Sequence, residues 1–438
     1  MSLASGTGAA VGFAPVRILV VGSGAREHAL AWKCLRSPLA ERVYVAPGNG
    51  GTAAIARNVA IPADDRARLA RLARKEKIGL ALLGPEAAVA AGVGDALRDA
   101  GIPVFGPDRE AGRIESSKAF AKEVMVAAGI PTARYQVFTE AEPARRFARA
   151  LGGRVVVKAD GLAMGKGVLV CDGEEQADHA IDSMLVRRTF GSAGATALVE
   201  ERLEGPELSL FGISDGHHVV PLAPARDFKR ARDGDEGPNT GGMGAYSPPI
   251  GVDDALVKEA TEVALRPAVL ELARRGVEYR GVLYAGLMLT PGGIRVLEFN
   301  ARFGDPEAQV VIPRLRSDLV PVLLAAALGD LPERPRLEWS RRPSVGVVVA
   351  SGGYPESYGT GFEIGGLASI PEGVLVFHAG TRLVAGQGLI TSGGRVLTSV
   401  GMGQDVEQAR LAALSGAVRV RFPGAFFRKD IAQEAVRA

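Results

Sequence analysis

The sequence predicts an α/β protein with a doubly wound parallel sheet at its N-terminus and a β-rich domain at its C-terminus. Three observations predict it. Short apolar runs alternate with helical stretches over residues 17–117. Glycine is abundant (57) while aromatics are sparse (5%), which favours many backbone-lined loops. Beyond Pro335 the texture changes to β-rich segments with repeated glycine pairs. A chain of 438 residues is too long for one core and should hold about three or four domains.

The first strand is Arg17-Ile-Leu-Val-Val-Gly22, an apolar run ending in glycine, followed by a helix from Arg26 to Leu35. A strand at 43–46 leads into the loop 47–51. A helix over 64–76 precedes the strand 78–83, the loop 84–86, a helix to Ala100 and the strand 103–105. Strands alternating with helices imply a parallel sheet. A helix spans 117–128 and Gly129-Ile-Pro131 ends it. Strands at 155–158 and 168–171 flank a glycine-rich loop, so that unit is a hairpin rather than a strand-to-helix turn. A helix and the strand 197–200 follow. Residues 207–330 mix strands and helices around a long glycine-rich loop, 231–247. The expected division is a disordered extension at 1–16, an α/β domain at 17–117, a central domain at 118–335 with a lid at about 132–205, and a β-rich domain at 336–438.

Composition excludes several classes. Fifty-two basic against 49 acidic residues leave a net charge of only +3, with no footprint for nucleic acid or an anionic membrane. No apolar run reaches bilayer length. Residues 1–15 lack a basic region and a continuous apolar core, so they do not read as a signal peptide. Two cysteines, Cys34 and Cys171, fit a reducing compartment and carry no metal-ligand spacing. A cytoplasmic protein is expected.

The most informative segment is Leu297-Glu-Phe-Asn-Ala-Arg-Phe-Gly-Asp-Pro-Glu307. Strand alternation places Glu298, Asn300 and Arg302 on one face and Leu297, Phe299 and Ala301 on the other. Two hard oxygen donors beside a guanidinium suit Mg²⁺ and the phosphates it carries. A solvated strand with an ion pair has the same pattern, and the face alone does not separate the two. Upstream, the loop 161–167 contains Lys166 among glycines that let backbone N–H groups approach phosphate oxygens. It is not a P-loop, because neither Ser nor Thr follows the lysine. Lys158 ends an apolar strand, where an unpaired ammonium is costly; a nucleotide phosphate would be its counter-ion. At 199–207 a strand ends in acidic residues and turns at Gly205-Pro206. Such backbone can pair with adenine, and a solvated surface turn reads the same.

Lys118, Lys158, the 161–167 loop, the 199–207 hinge and the Glu298/Asn300/Arg302 strand occur in the order and spacing of an ATP-grasp ligase. The chain more narrowly resembles the phosphoribosylamine–glycine ligase family. That resemblance rests on strings at 22–29, 46–49, 84–86, 237–246, 298–307, 352–355 and 377–380. It implies an ATP-grasp fold and an enzyme that uses ATP and Mg²⁺ (or Mn²⁺) to join glycine to 5-phosphoribosylamine, through a glycyl phosphate, in purine biosynthesis. It implies ATP binding by Lys118, Lys158, Gly165, Lys166, Gly167, Glu200, Glu201, Leu203 and Glu207. It assigns the metal to Glu298 and Asn300, and the reacting phosphate to Arg302, Lys229 and Arg230. Substrate contacts fall to Gly22, Gly24, Arg26, Glu27, Asn49, Glu86, Asp227, Asn239, Gly241 and Gly242. A monomer is implied.

Two departures stand out. Many ATP-grasp enzymes carry a further acidic ligand about a dozen residues before the Glu-x-Asn pair, whereas residues 284–288 here offer no carboxylate. Phe228 stands where similar proteins often have histidine, and Met164 where they often have alanine. Three other readings compete with this one. A nicotinamide oxidoreductase would use Gly22-Ser-Gly-Ala-Arg-Glu27 as a dinucleotide fingerprint, but Glu27 occupies the third glycine position. The others are an ATP-grasp ligase for another carboxylate and amine, and a non-catalytic nucleotide binder.

Overall fold

The computed structural model describes residues 13–161, 167–332 and 337–437. The N-terminal sheet is parallel and five-stranded, in the order Arg57–Asn58, Ala40–Pro47, Val16–Gly22, Ile78–Leu83, Val104–Phe105. Its central strands are apolar on both faces because helices cover both. Ile18 and Val20 pack into one core and Leu19 and Val21 into another. The helix expected to run to Ala100 is two, Glu86–Ala90 and Val93–Asp99. Gly92 between them adopts a left-handed φ of 73°, which breaks the hydrogen-bond ladder.

The next sheet is antiparallel, in the order Val219–Pro221, Glu207–Asp215, Arg280–Thr290, Gly293–Asn300. Its apolar face takes Phe120, Val124 and Met125 from the helix Lys118–Ala127, and Val269 and Leu272 from Arg266–Arg274. A smaller antiparallel sheet, Tyr135–Phe138, Ala197–Glu201, Val155–Ala159, Val168–Val170, has its own core with the helices Ala141–Ala150 and Glu174–Ile181.

The stretch 231–247 differs from its reading as a loop. It forms most of a hairpin between Arg226–Arg232 and Glu236–Ser247. Its glycines argue against a strand locally, but the strand Ser344–Ala350 pairs with its far end, Gly244 opposite Val347 and Ser247 opposite Ser344. Tertiary pairing overrides the weak β-propensity of glycine. The hairpin thereby joins a five-stranded sheet with Arg395–Met402 and Leu375–His378, covered by the helix Val406–Ala417. Among the described residues, no helix is long and apolar enough to cross a membrane.

Candidate active site

The strand Gly293–Asn300 ends two residues before Arg302. Glu298 and Asn300 share its polar face, while Val296 and Phe299 are buried at 0% and 3%. Arg302 lies past the strand, because carboxylates outside the sheet hold it. Its Nε is 2.9 Å from Glu86 and its Nη2 3.0 Å from Glu115. It also donates to Asn300 Oδ1 at 3.3 Å. Burial lowers and these carboxylates raise the Arg302 pKa, with a net rise. Across the ladder, Gly286 faces Glu298, and a Cβ there would lie 3.4 Å from Glu298 Cγ. The neighbouring strand thus supplies space and no second carboxylate.

Burial pushes the Glu298 carboxyl up, but Lys158, Lys229, Lys118 and Arg302, in that order, hold it below its ordinary value. Four cations from four chain segments therefore converge on one carboxylate. Among the described residues no ion pair within 4.0 Å engages it. An anionic carboxylate oxygen without a direct cation partner, beside a carboxamide oxygen and open space at Gly286, fits a hard divalent ion. Among the described residues no group of three or more His, Cys, Asp or Glu could hold a metal alone, so such an ion would share its ligands with phosphate and water.

Lys118 opens its helix and donates to the Gly161 carbonyl at 3.3 Å. Asp160 accepts from Ser117 Oγ and the Ala119 N–H, both at 3.1 Å, which ties the start of the glycine-rich loop to that helix N-terminus. Gly165 and Lys166 lie outside the described residues. Gly167 accepts from the Ala159 N–H.

Lys158 corrects one expectation. Its counter-ion is a protein carboxylate, Glu200, and it also donates to Leu297 O at 3.1 Å. The second oxygen of Glu200 lies 2.7 Å from Lys122 Nζ. Both Glu200 oxygens are therefore held by lysines, and Glu200 is 2% exposed. Lys122 belongs to none of the sequence motifs. Its signal was its place four residues after Lys118, on the same side of the helix.

The hinge at 201–204 lines a cleft of about 370 Å³ with Arg154, Thr290 and Arg295. Leu203 is half-buried there. Gly205 has φ +149°, and a Cβ on it would sit 2.1 Å from Leu289 O, so only glycine makes this turn.

Glu207 is 2.5 Å from Lys229 Nζ, which is also 3.6 Å from Asp227. Burial pushes the Asp227 carboxyl up to about 7; Lys229 opposes that, and Glu307, Glu207 and Glu298 add to it. Arg230 donates to the Gly237 carbonyl at 2.6 Å and is turned into its hairpin. Within that hairpin Asn239 is half-buried and Thr240 Oγ1 donates to Lys229 O. Arg395 pins the turn from the C-terminal sheet, donating to Gly241 O at 2.6 Å and to Asp305 O at 2.7 Å. Gly242 lies against Pro306, with 2.4 Å left for a Cβ.

At the N-terminal sheet, Glu27 folds back under the first turn of its helix. It accepts from the Gly24 N–H and from Arg26 Nε, both at 2.5 Å. Its side chain fills the space left by two glycines: a Cβ on Gly22 or Gly84 would meet it at 2.6 or 2.1 Å. A dinucleotide fingerprint needs that space for close helix–strand packing. Arg26 reaches the Phe303 carbonyl at 3.0 Å. The Asn49 amide donates to Ser23 O and His378 O (2.9 and 2.6 Å) and accepts from the Gly51 and Thr52 N–H groups. Glu115, which holds Arg302, and Arg395, which lies 3.4 Å from Asp305, extend the network, and no local motif marks either of the two.

The site offers no activated nucleophile among the described residues. Burial pushes the Cys34 thiol up to about 12 and Cys171 up to about 11. Burial, and for His28 the nearby His378, pushes the two imidazoles down to about 3 and about 4. What remains is a cation-rich cleft around an anionic oxygen, suited to positioning polyphosphate.

Residues 16–115, 116–308 and 344–434 match the phosphoribosylglycinamide synthetase N domain, ATP-grasp (A) domain and C domain. The phosphoribosylamine–glycine ligase of Allochromatium vinosum is 49% identical over 429 residues, covering 96% of this chain and 99% of the relative. That of Salmonella typhimurium is 48% identical over 426 residues, at 96% and 99%. The crystal structure of phosphoribosylamine–glycine ligase from Thermotoga maritima superposes with a TM-score of 0.83 at 34% identity, covering 95% of this chain and all of that one. A biotin carboxylase from Campylobacter jejuni, at TM-score 0.73 and 17% identity over 96% of this chain and 95% of that one, shares the fold.

Proposed function

The chain belongs to the phosphoribosylglycinamide synthetase family, and on that premise we propose that it is an ADP-forming ligase joining glycine to 5-phospho-D-ribosylamine in purine biosynthesis. The observation that carries the reading is the polar face of the strand Gly293–Asn300, where Glu298 has no ion pair within 4.0 Å among the described residues and Asn300 accepts from Arg302. A carboxylate oxygen of glycine attacks the γ-phosphorus of ATP; the bond to the β-phosphate oxygen breaks, giving glycyl phosphate and ADP. The ribosylamine nitrogen then attacks the acyl carbon, phosphate leaves, and the new amide nitrogen loses a proton. Such transfer needs positioning and charge neutralisation rather than a protein nucleophile.

Lys118 and Lys158 hold the ATP phosphates under the loop bearing Gly165, Lys166 and Gly167. The backbone at Glu201 to Leu203, set by Glu200, meets adenine, and Glu207 meets ribose. Lys229 and Arg302 face the transferred phosphate, and Arg230, bonded to the Gly237 carbonyl, reaches it by turning out of its hairpin. Asp227, Asn239, Gly241 and Gly242 form the glycine pocket. Gly22, Gly24, Arg26, Glu27 and Glu86 surround the phosphoribosylamine, with Asn49 holding their loop in place. Glu298 and Asn300 would hold Mg²⁺ or Mn²⁺, which when bound neutralises phosphate charge. The loop excludes water from the acyl phosphate. The enzyme works as a cytoplasmic monomer.

The test supplies the protein with ATP, Mg²⁺, glycine and freshly made phosphoribosylamine and follows ADP. Release that depends on both glycine and the ribosylamine is expected. Release that proceeds without either one would overturn the assignment.

A further inference from the structure

We propose that Lys122, which is too deeply buried to touch nucleotide, tunes the phosphate affinity of Lys158 by sharing Glu200 with it. The inference rests on the reading that Lys158 binds ATP phosphates. Lys122, Glu200 and Lys158 are 2%, 2% and 5% exposed. Lys122 Nζ lies 2.7 Å from Glu200 Oε2 and 2.6 Å from Thr132 Oγ1, over the Tyr135 ring at 5.2 Å. Thr132 Oγ1 in turn donates to Val296 O at 2.7 Å. Lys158 holds the other Glu200 oxygen and Leu297 O. The triad therefore joins the smaller sheet to the strand that carries Glu298, through side chains that reach the backbone carbonyls of that strand.

Its charges explain why a second lysine is useful. One buried carboxylate and one ammonium form a neutral pair, which has little attraction left for phosphate. Adding Lys122 places two ammoniums on the one Glu200 carboxylate, which then does not neutralise both. Buried excess charge is costly without a counter-charge, and a phosphate reaching Lys158 supplies it. Lys122 also draws on the Glu200 carboxylate from its far oxygen, so Glu200 orients Lys158 without neutralising it. Lys122 is thus a positioning residue, acting through Glu200.

The test compares ATP and adenosine binding by isothermal titration, with no glycine or ribosylamine present. In Lys122→Met, ATP affinity should fall about 10- to 100-fold, the loss of one charge-assisted contact, while adenosine affinity stays within about twofold. Adding Glu200→Gln to that variant should recover most of the ATP affinity relative to the adenosine affinity of the same double variant, because Lys158 is released. Lys122→Gln, which keeps a hydrogen-bond donor, provides the same readout if the methionine variant folds poorly. Equal losses for ATP and adenosine, an unchanged ATP affinity, or no recovery in the double variant would each overturn the proposal. Because no turnover is measured, failure of the ligase assignment leaves a separate signature: normal nucleotide binding without glycine-dependent ADP release.

Discussion

Two polar corners of this molecule use the same residue types to different ends. At the loops after the first two strands, Asn49 donates and accepts with four backbone groups, and both oxygens of Glu27 receive N–H donors. The Asn49 amide and the Glu27 carboxylate are matched within the protein, across three chain regions that include His378 of the C-terminal sheet. At the cleft, Glu298 is surrounded by cations yet holds none of them within 4.0 Å among the described residues. The first corner is a joint, and the second is a receptor. Residue type does not distinguish a structural carboxylate from a functional one; what already holds its oxygens does.

The comparison can be broken most directly at Glu298. Glu298→Gln removes the charge but keeps the shape, and kcat should fall on the order of 10²–10³-fold with the melting temperature unchanged. Near-normal turnover would remove the receptor role. The joint should fail by acid rather than by loss of catalysis. His28 and His378 are held neutral there, down to about 3 and about 4. Their folded-state values lie below the unfolded one near 6.5, so the unfolded chain binds more protons. The stability they contribute is complete above about pH 6.5 and declines as pH falls towards about 4, by up to about 1.4 kcal/mol per pH unit for each histidine. Chemical denaturation across that range should show the slope, and His28→Asn should reduce it by one proton. The smallest effect is Asn49→Ala, which orphans buried backbone groups and should cost about 2–4 kcal/mol. A stability loss with little change in KM for ATP marks a joint; a stable protein with raised KM for the ribosylamine alone would move Asn49 to the receptor class.

Much of the fold was legible because its signals are local. The apolar run at 17–22 and its alternation with helices announced a parallel sheet. The short strands at 155–158 and 168–171 announced a hairpin around the glycine-rich loop. The hairpin at 226–247 was not legible, because glycine carries no β signal and the pairing strand begins a hundred residues later, at Ser344. The polar face of Glu298 and Asn300 was legible from strand alternation, as was the absence of a carboxylate opposite it, where Gly286 now sits.

The sequence by itself determined which residues could carry phosphate chemistry, since the lysines, the Glu-x-Asn pair and the glycine turns are short-range patterns set by side-chain chemistry and backbone freedom. Only the tertiary structure decided what each charge is paired with. Lys158, expected to await a phosphate, shares Glu200 with Lys122. Arg302 was placed on a strand and is clasped by Glu86 and Glu115. The physical reason is range. Propensity and periodicity act over a few residues, whereas a buried charge is satisfied by whichever opposite charge folding brings within a few ångströms, and here those partners come from neighbouring strands and packed helices distant in sequence.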